Sequence, residues 1–301
     1  MSKPYSVTDV AFEGFRLVRE NPGMALVWAV LMLVMSSAAY VGMAYSGLGE
    51  IMTQLQSGGG TPEGLLDAYA GAAPILTGMI IVSILLGVMF MASVFRVTLN
   101  GSKGAGAKLS FGSDELRLIG IYLLFFLFFV LIIFGGAFLL GVAAGALGAS
   151  GQTGAATLVG VLAVVFLTAF SIWFSVKLSL AGPMSIAEGK LVFFKSMSLS
   201  KGHFWSLLGT YLLVFILTVI VSILGSLILA VIALGVTGGS LEQVGTLFNT
   251  FPTAVEDLYD PARLVYIVGT ALINTLTAAM FYGAQAEAYR VLSNRGAEQV
   301  F

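Results

Sequence analysis

Cysteine is absent from the 301-residue chain. That excludes disulfides, thiolate metal sites and a cysteine nucleophile, and leaves the redox compartment open. Histidine occurs once, as His203, with neither a second histidine or cysteine for a metal nor a serine and an acid arranged for a triad. Charge is scarce too: Asp, Glu, Lys and Arg make up 10% of the chain, against about 25% in soluble domains. The net charge is -1, so no basic excess points to nucleic acid. No catalytic residue, cofactor or metal site is expected, and the chain reads as a non-enzyme.

What fills the chain is apolar. Hydrophobic residues reach 58% and the mean hydropathy is +1.00, the composition of an integral membrane protein. Spanning a bilayer as a helix takes about 20 mostly apolar residues. Six segments qualify: Met24 to Tyr45, Pro74 to Phe95, Leu118 to Leu147, Ala155 to Lys177, Phe204 to Val236 and Leu264 to Tyr289. The expected fold is all-α, a polytopic membrane protein with six transmembrane helices as three hairpins and cytoplasmic amphipathic interfacial helices. It forms one membrane domain over 1–301, with two-helix units near 1–100, 101–182 and 183–301. The third and fifth segments exceed the hydrocarbon thickness, so tilting, kinking at glycine or projection into water is expected. The N-terminus carries Asp9, Glu13, Arg16, Arg19 and Glu20 before any long apolar run and lacks a small-residue cleavage site, so it reads as retained.

Lys and Arg accumulate on the cytoplasmic side of short loops. Placing both termini inside gives that side Lys3, Arg16, Arg19, Arg96, Lys103, Lys108, Arg117, Lys177, Lys190, Lys195, Lys201, Arg290 and Arg295. Only Arg263 falls outside. The outer loops carry Glu50, Glu63, Asp67, Glu242, Glu256, Asp257 and Asp260 instead. Both termini are therefore expected in the cytoplasm.

Short echoes suggest a repeated unit. LRLIGIYLLFF (116–126) and WSLLGTYLLVF (205–215) share Leu118/Leu207, Gly120/Gly209, Tyr122/Tyr211, Leu123/Leu212 and Leu124/Leu213. FRVTL (95–99) and FSVKL (174–178) close the even spans, with YRV at 289–291 a looser copy. A third echo pairs the entry segments through Phe12/Phe194, Leu17/Leu199 and Arg19/Lys201. True repetition and convergence of lipid-facing sequence both remain open.

The entry segments read as surface helices. Val7, Val10, Ala11, Phe15 and Val18 recur at helical spacing, Ser6 and Asp9 form a cap, and Pro22-Gly23 turns the chain into the first span. Between Pro183 and Ser200, Ile186, Leu191, Phe193, Phe194 and Met197 can face the acyl boundary while Lys190, Lys195 and Lys201 reach headgroups, with Gly202 as the elbow. His203 and Trp205 then lie at the interface. The candidate lipid-headgroup or partner contacts are Arg16, Arg19, Lys190, Lys195, Lys201, His203 and Trp205.

In the outer loops, Thr61-Pro62-Glu63 starts a short helix to Tyr69, Thr253 and Glu256 form a capping box, and Asp260-Pro261 starts the last span. Glu256, Asp257 and Asp260 could hold a hard cation, but helix-start chemistry accounts for them more simply. Within the spans, Asn274 and Thr277 can make an interhelical hydrogen bond, and Glu287 can pair with Arg290. Gly141 and Gly145, four apart, are expected to let two helices pack closely.

The stretch SLAGPMSIAEGKLVFFKSMSLSKGHFWSLLGTYLLVF (179–215) resembles a bacterial membrane-domain family. That family occurs fused to some glycerophosphodiester phosphodiesterases and as stand-alone multi-pass proteins. Pro183, Glu188, Lys201, Gly202, Phe204 and Trp205 carry the likeness, and Asn21-Pro22-Gly23 fits the same style. The resemblance implies a bacterial inner (cytoplasmic) membrane protein; phosphodiesterase activity does not transfer, because it resides in a separate soluble barrel. Two functions follow: a non-enzymatic scaffold or accessory subunit binding lipid or partner membrane proteins, a homo-oligomer included, or a transporter of an apolar or amphipathic molecule.

Overall fold

The structure is a computed structural model that describes residues 5–49, 51, 61–100, 109, 111–250, 252 and 254–293. Lys3, Lys103, Lys108, Thr253 and Arg295 lie outside the described residues. Helices are the only regular structure among the described residues, and six are long and apolar enough to cross a membrane. A chain in hydrocarbon has no water to satisfy its backbone, so helices carry the peptide hydrogen bonds internally.

The first two helices precede the bilayer segments. Ser6 Oγ accepts from the Asp9 amide at 3.3 Å and starts α1 (Val7–Ala11), as its sequence predicts. Helix α2 (Glu13–Glu20) ends at Asn21, and Pro22 opens α3 (Pro22–Ser46). Helix α4 (Pro62–Asn100) starts where Thr61 Oγ1 accepts from the Gly64 amide at 3.2 Å. The short helix expected to stop at Tyr69 instead runs on through Pro74 to Asn100, continuous with the second span.

Helix α5 (Ser113–Val130) passes through a π-helical turn (Leu131–Gly135) into α6 (Gly136–Ala149). Together they span 37 residues, about 55 Å, well over the roughly 30 Å of hydrocarbon. Helix α7 (Thr153–Leu178) returns, followed by α8 (Ala181–Glu188) and α9 (Lys195–Leu199). Helix α10 (Phe204–Val236) crosses again, α11 (Leu241–Asn249) and a 3-10 turn (Glu256–Tyr259) fill the next connection, and α12 (Pro261–Leu292) returns. Asp260 Oδ1 accepts from the Ala262 amide at 2.9 Å, so this acid is a helix cap. Asp257 Oδ2 likewise accepts from the Ala254 amide at 3.0 Å, and no group of three metal-ligating side chains occurs among the described residues.

Consecutive spans pack as hairpins: α3 with α4, α6 with α7, and α10 with α12. The three hairpins are not equivalent. Helix α12 is the hub, touching α2, α3, α4 and α10, and small residues make this contact possible. A Cβ on Gly269 would collide with Leu229 of α10, and one on Gly283 would lie 3.2 Å from Gly14 Cα. The third and fourth spans have no buried residue in their apolar windows, whereas a third of the α12 window is buried.

Gly141 and Gly145 do not make the close contact their spacing predicts within this chain. A Cβ at either would meet nothing within 4 Å. The close approach of α6 to α7 falls at Gly136, where a Cβ would meet Leu167 Cδ2 at 2.6 Å. Asn274 and Thr277 also differ from expectation: Thr277 Oγ1 donates back to the Asn274 carbonyl at 3.2 Å within its own helix. Interhelical bonds come instead from aromatic donors, Trp28 Nε1 to Ser93 Oγ at 2.9 Å and Tyr211 Oη to Ser179 Oγ at 2.7 Å.

The tightest glycine contact with another helix's backbone is at Gly14, whose Cβ would overlap Met280 Cα. Gly14→Ala should lower the thermal midpoint in detergent, with the ~1 to 3 kcal/mol loss usual for overpacking. Gly141→Ala should leave it unchanged or raise it, since a lipid-facing helix gains from alanine. An unshifted midpoint for Gly14→Ala would show that α2 does not rest on α12.

Candidate functional site: the basic face of the bundle

All described Lys and Arg except Arg263 gather at one end of the bundle, where α4 and α7 end and α5 and α10 begin. Arg263 is the outlier in chemistry as well. It is buried at the opposite end and its Nη1 donates to the carbonyls of Leu247 (3.2 Å) and Thr250 (3.0 Å). Those are the free carbonyls at the end of α11, so its charge answers a helix C-terminus.

The basic face is built from three knots. In the first, Arg96 Nη2 donates to Glu115 Oε1 at 2.6 Å and its Nη1 lies 3.4 Å from Asp114 Oδ2. Arg117 Nη1 donates to Asp114 Oδ1 at 2.6 Å, and Glu115 Oε2 accepts the Gly112 amide at 2.9 Å. The Glu115 side chain is fully buried, and both of its oxygens are met by a donor, Arg96 on one and the Gly112 amide on the other, as a buried acid requires. This knot pins the end of α4 to the start of α5.

The second knot joins α7 to the elbow. Ser196 and Ser200 donate to the Lys177 carbonyl at 3.1 and 3.2 Å, and Lys177 Nζ donates to the Ser200 carbonyl at 3.3 Å. The elbow itself is not one interfacial helix. Helix α8 is buried between α4 and α5, with Gly182 so close to Phe95 that a Cβ would lie 2.9 Å from its ring. Gly189, at φ +64, ends it, and Gly202, at φ +84, makes the turn into α10 that its position predicts. Phe193 is buried against Phe125 (5.9 Å) and Phe128 (5.7 Å), while Phe194 and Leu191 are exposed.

The third knot holds the entry helices. Tyr5 Oη and Thr210 Oγ1 share a hydrogen bond at 2.9 Å, and the Tyr5 ring lies 6.4 Å from His203. Glu13 of α2 is buried against α12 and pairs with Arg16. Glu287 of α12 is gripped at both oxygens by Arg290, at 2.7 and 2.8 Å, the pairing their spacing predicts. Burial, then the neighbouring Glu287 charge, pushes the Glu13 carboxyl up to about 7, against the opposing pull of Arg16.

The predicted contact residues thus divide. Arg16 is committed to Glu13, and Lys195 Nζ to Glu188 at 2.8 and 2.9 Å. Arg19, Lys190 and Lys201 are exposed and have no acidic partner among the described residues. His203 is exposed, and Trp205 stands out with 79% of its surface accessible. Sequence reading missed Glu13 as a buried group and Glu115 as the centre of an ion-pair knot. Their i,i+3 and loop-spanning partners were visible, but the burial that makes them unusual comes from contacts with distant helices.

At the other end, α10 and α11 border a groove of about 420 Å³ lined by Ser222, Ile223, Ser226, Leu227, Ala230 and Phe248. No family model, curated protein or solved structure matches the chain.

Removing Arg96 strands the buried Glu115 carboxylate. Arg96→Met should cost about 3 to 5 kcal/mol, the range for breaking one half of a buried pair, read as a lowered unfolding midpoint in detergent. Arg96→Met with Glu115→Leu should recover part of that loss. Equal melting of wild type and Arg96→Met would deny the pair its structural role.

Proposed function

We propose that the protein is a non-enzymatic scaffold or accessory subunit of the bacterial inner membrane, with both termini cytoplasmic, holding anionic lipid headgroups or partner membrane proteins at its basic face. The observation that carries this reading is the pairing of free cations with exposed apolar anchors. Among the described residues Arg19, Lys190 and Lys201 meet no acidic partner, while Leu191, Phe194 and Trp205 expose half or more of their surface at the same end. Basic side chains that reach phosphates while rings enter the acyl boundary are the chemistry of interfacial anchoring. The resemblance of residues 179–215 to a stand-alone membrane-domain family agrees with it. A transporter or lipid-handling role is the second reading, supported by the groove beside Ser222 and Ser226.

Each basic residue near an anionic surface contributes about 1 kcal/mol. The Arg19→Gln, Lys190→Gln, Lys201→Gln variant should therefore retain phosphatidylglycerol at least tenfold less well than wild type when native mass spectrometry follows delipidation. Phosphatidylcholine retention should not change. Equal retention of both lipids by wild type would remove headgroup binding from the proposal and leave a protein partner for those charges.

Orientation has its own test, made simple by the absence of native cysteine. Cysteines placed at exposed Ser198 and Leu241 should react with an impermeant thiol reagent from opposite sides, the first only after the cytoplasmic face is opened. Labelling from one side would break the topology.

A further inference from the structure

We propose that α1 and α2 form a proton-sensitive latch on the basic face, docked against α10 and α12 when Glu13 carries its proton and loosened when it ionises. The geometry sets up the device. Helix α2 crosses α12 through glycine on both sides, Gly14 against the Met280 backbone and Gly283 against Gly14 Cα, so no room remains for water between them. Into this contact each helix brings a buried carboxyl group, Glu13 at 3% and Glu287 at 8% exposure.

The two acids are not equivalent. Glu287 is paired with Arg290, whose Nη2 donates to Oε1 at 2.8 Å and whose Nε lies 2.7 Å from Oε2. Glu13 has only Arg16, whose side chain is 45% exposed and whose pull is shared with solvent and with Glu20. Burial, and the Glu287 charge across the same contact, both favour the proton on Glu13. The charges acting on Glu13 are Glu287, Arg16 and Arg290. Of the other packed elements, α1 carries Asp9, which is exposed, α3 carries only Tyr40 and Tyr45 towards its far end, and α10 carries Tyr211. Tyr5 and His203 lie at the Thr210 side of the entry segment.

The sign follows from the docked form holding the proton more tightly than the undocked one. Glu13 moves from its ordinary 4.5 to about 7 when docked. Docking is then strongest below about 4.5, weakens as pH rises, and levels off above about 7. Opening exposes Val10 and Ala11, buried among α10 and α12 residues, and the Gly283 strip of α12.

Hydrogen exchange of the full chain in nanodiscs, corrected for intrinsic rates, reads the latch directly. Protection of amides 13–20 should fall between pH 5 and 7 by up to about tenfold per pH unit and then level off, while α3 interior amides stay constant. Glu13→Gln should keep protection high and flat with pH. Glu287→Gln removes the opposing charge, so its profile should shift to lower pH, and this variant decides the matter if Glu13→Gln does not fold. Wild-type protection that is flat from pH 5 to 8, parallel loss in α3, or an unshifted Glu287→Gln profile would each overturn the latch.

Discussion

Helices in a bilayer gain nothing from hiding apolar surface from one another, because lipid is as apolar as leucine; close contact must draw them together. In this chain that contact is concentrated on α12. Gly269, Ala271, Ala279, Gly283, Ala284, Ala286 and Ala288 are all buried, and they leave a surface low enough for four other helices to approach. Large side chains pack over glycine from both sides of the contact: Leu229 over Gly269, Leu17 over Gly283, and Ile273 of α12 over Gly225 of α10. Where bulk meets bulk, rings fill the gap, as Tyr282 does between Phe90 and Phe95 at about 6 Å from each. The sixth span is the last to be made, yet the first span, the second and the fifth depend on its shape.

Polar groups follow the same economy of position. Inside the bundle, interhelical bonds use donors carried on aromatic bodies, Trp28 to Ser93, Tyr122 to Met91 and Tyr211 to Ser179, so the donor arrives with its own apolar packing. Charges wait for the ends. At the basic face they are mostly paired, and the pairs differ in consequence: Arg96 with Glu115 is fully furnished with donors and fixes two helices together, whereas Glu13 faces a second carboxylate across a helix contact.

The six spans, their hairpin pairing and the caps at Ser6, Thr61 and Asp260 were legible because they depend on residues close together in sequence. The repeat echoes also carried structural content. Leu118 and Leu207 are both fully buried, and the hydroxyls of Tyr122 and Tyr211 both reach back to the end of an even-numbered span, to Met91 Sδ at 2.9 Å and Ser179 Oγ at 2.7 Å. What periodicity could not supply was the identity of the partner surface. The apolar faces of the entry segment and of residues 183–188 predicted lipid contact, but α2 and α8 spend those faces on α12, α4 and α5. Lipid and protein interior look alike to a pattern of hydrophobic residues. The same ambiguity misplaced Gly141 and Gly145, whose spacing fits a helix contact that the chain makes instead at Gly136.

The unequal attachment of the hairpins ties the elbow to the third and fourth spans. Beyond their mutual contact, α6 and α7 have few neighbours in the chain, and their anchorage lies at the basic face. There Phe125 and Phe128 of α5 and Phe174 of α7 close around Phe193, with Phe194 set edge-on to Phe128 at 5.5 Å. Phe193 and Phe194 sit between Lys190 and Lys195, on the segment that carries the exposed cations. Rings at van der Waals contact in a close-packed cluster cannot shift singly, since a displaced ring leaves a void that its neighbours must fill. A displaced elbow would therefore also shift the footing of this hairpin, while the hub around α12, held by glycine contacts elsewhere, has no need to move with it.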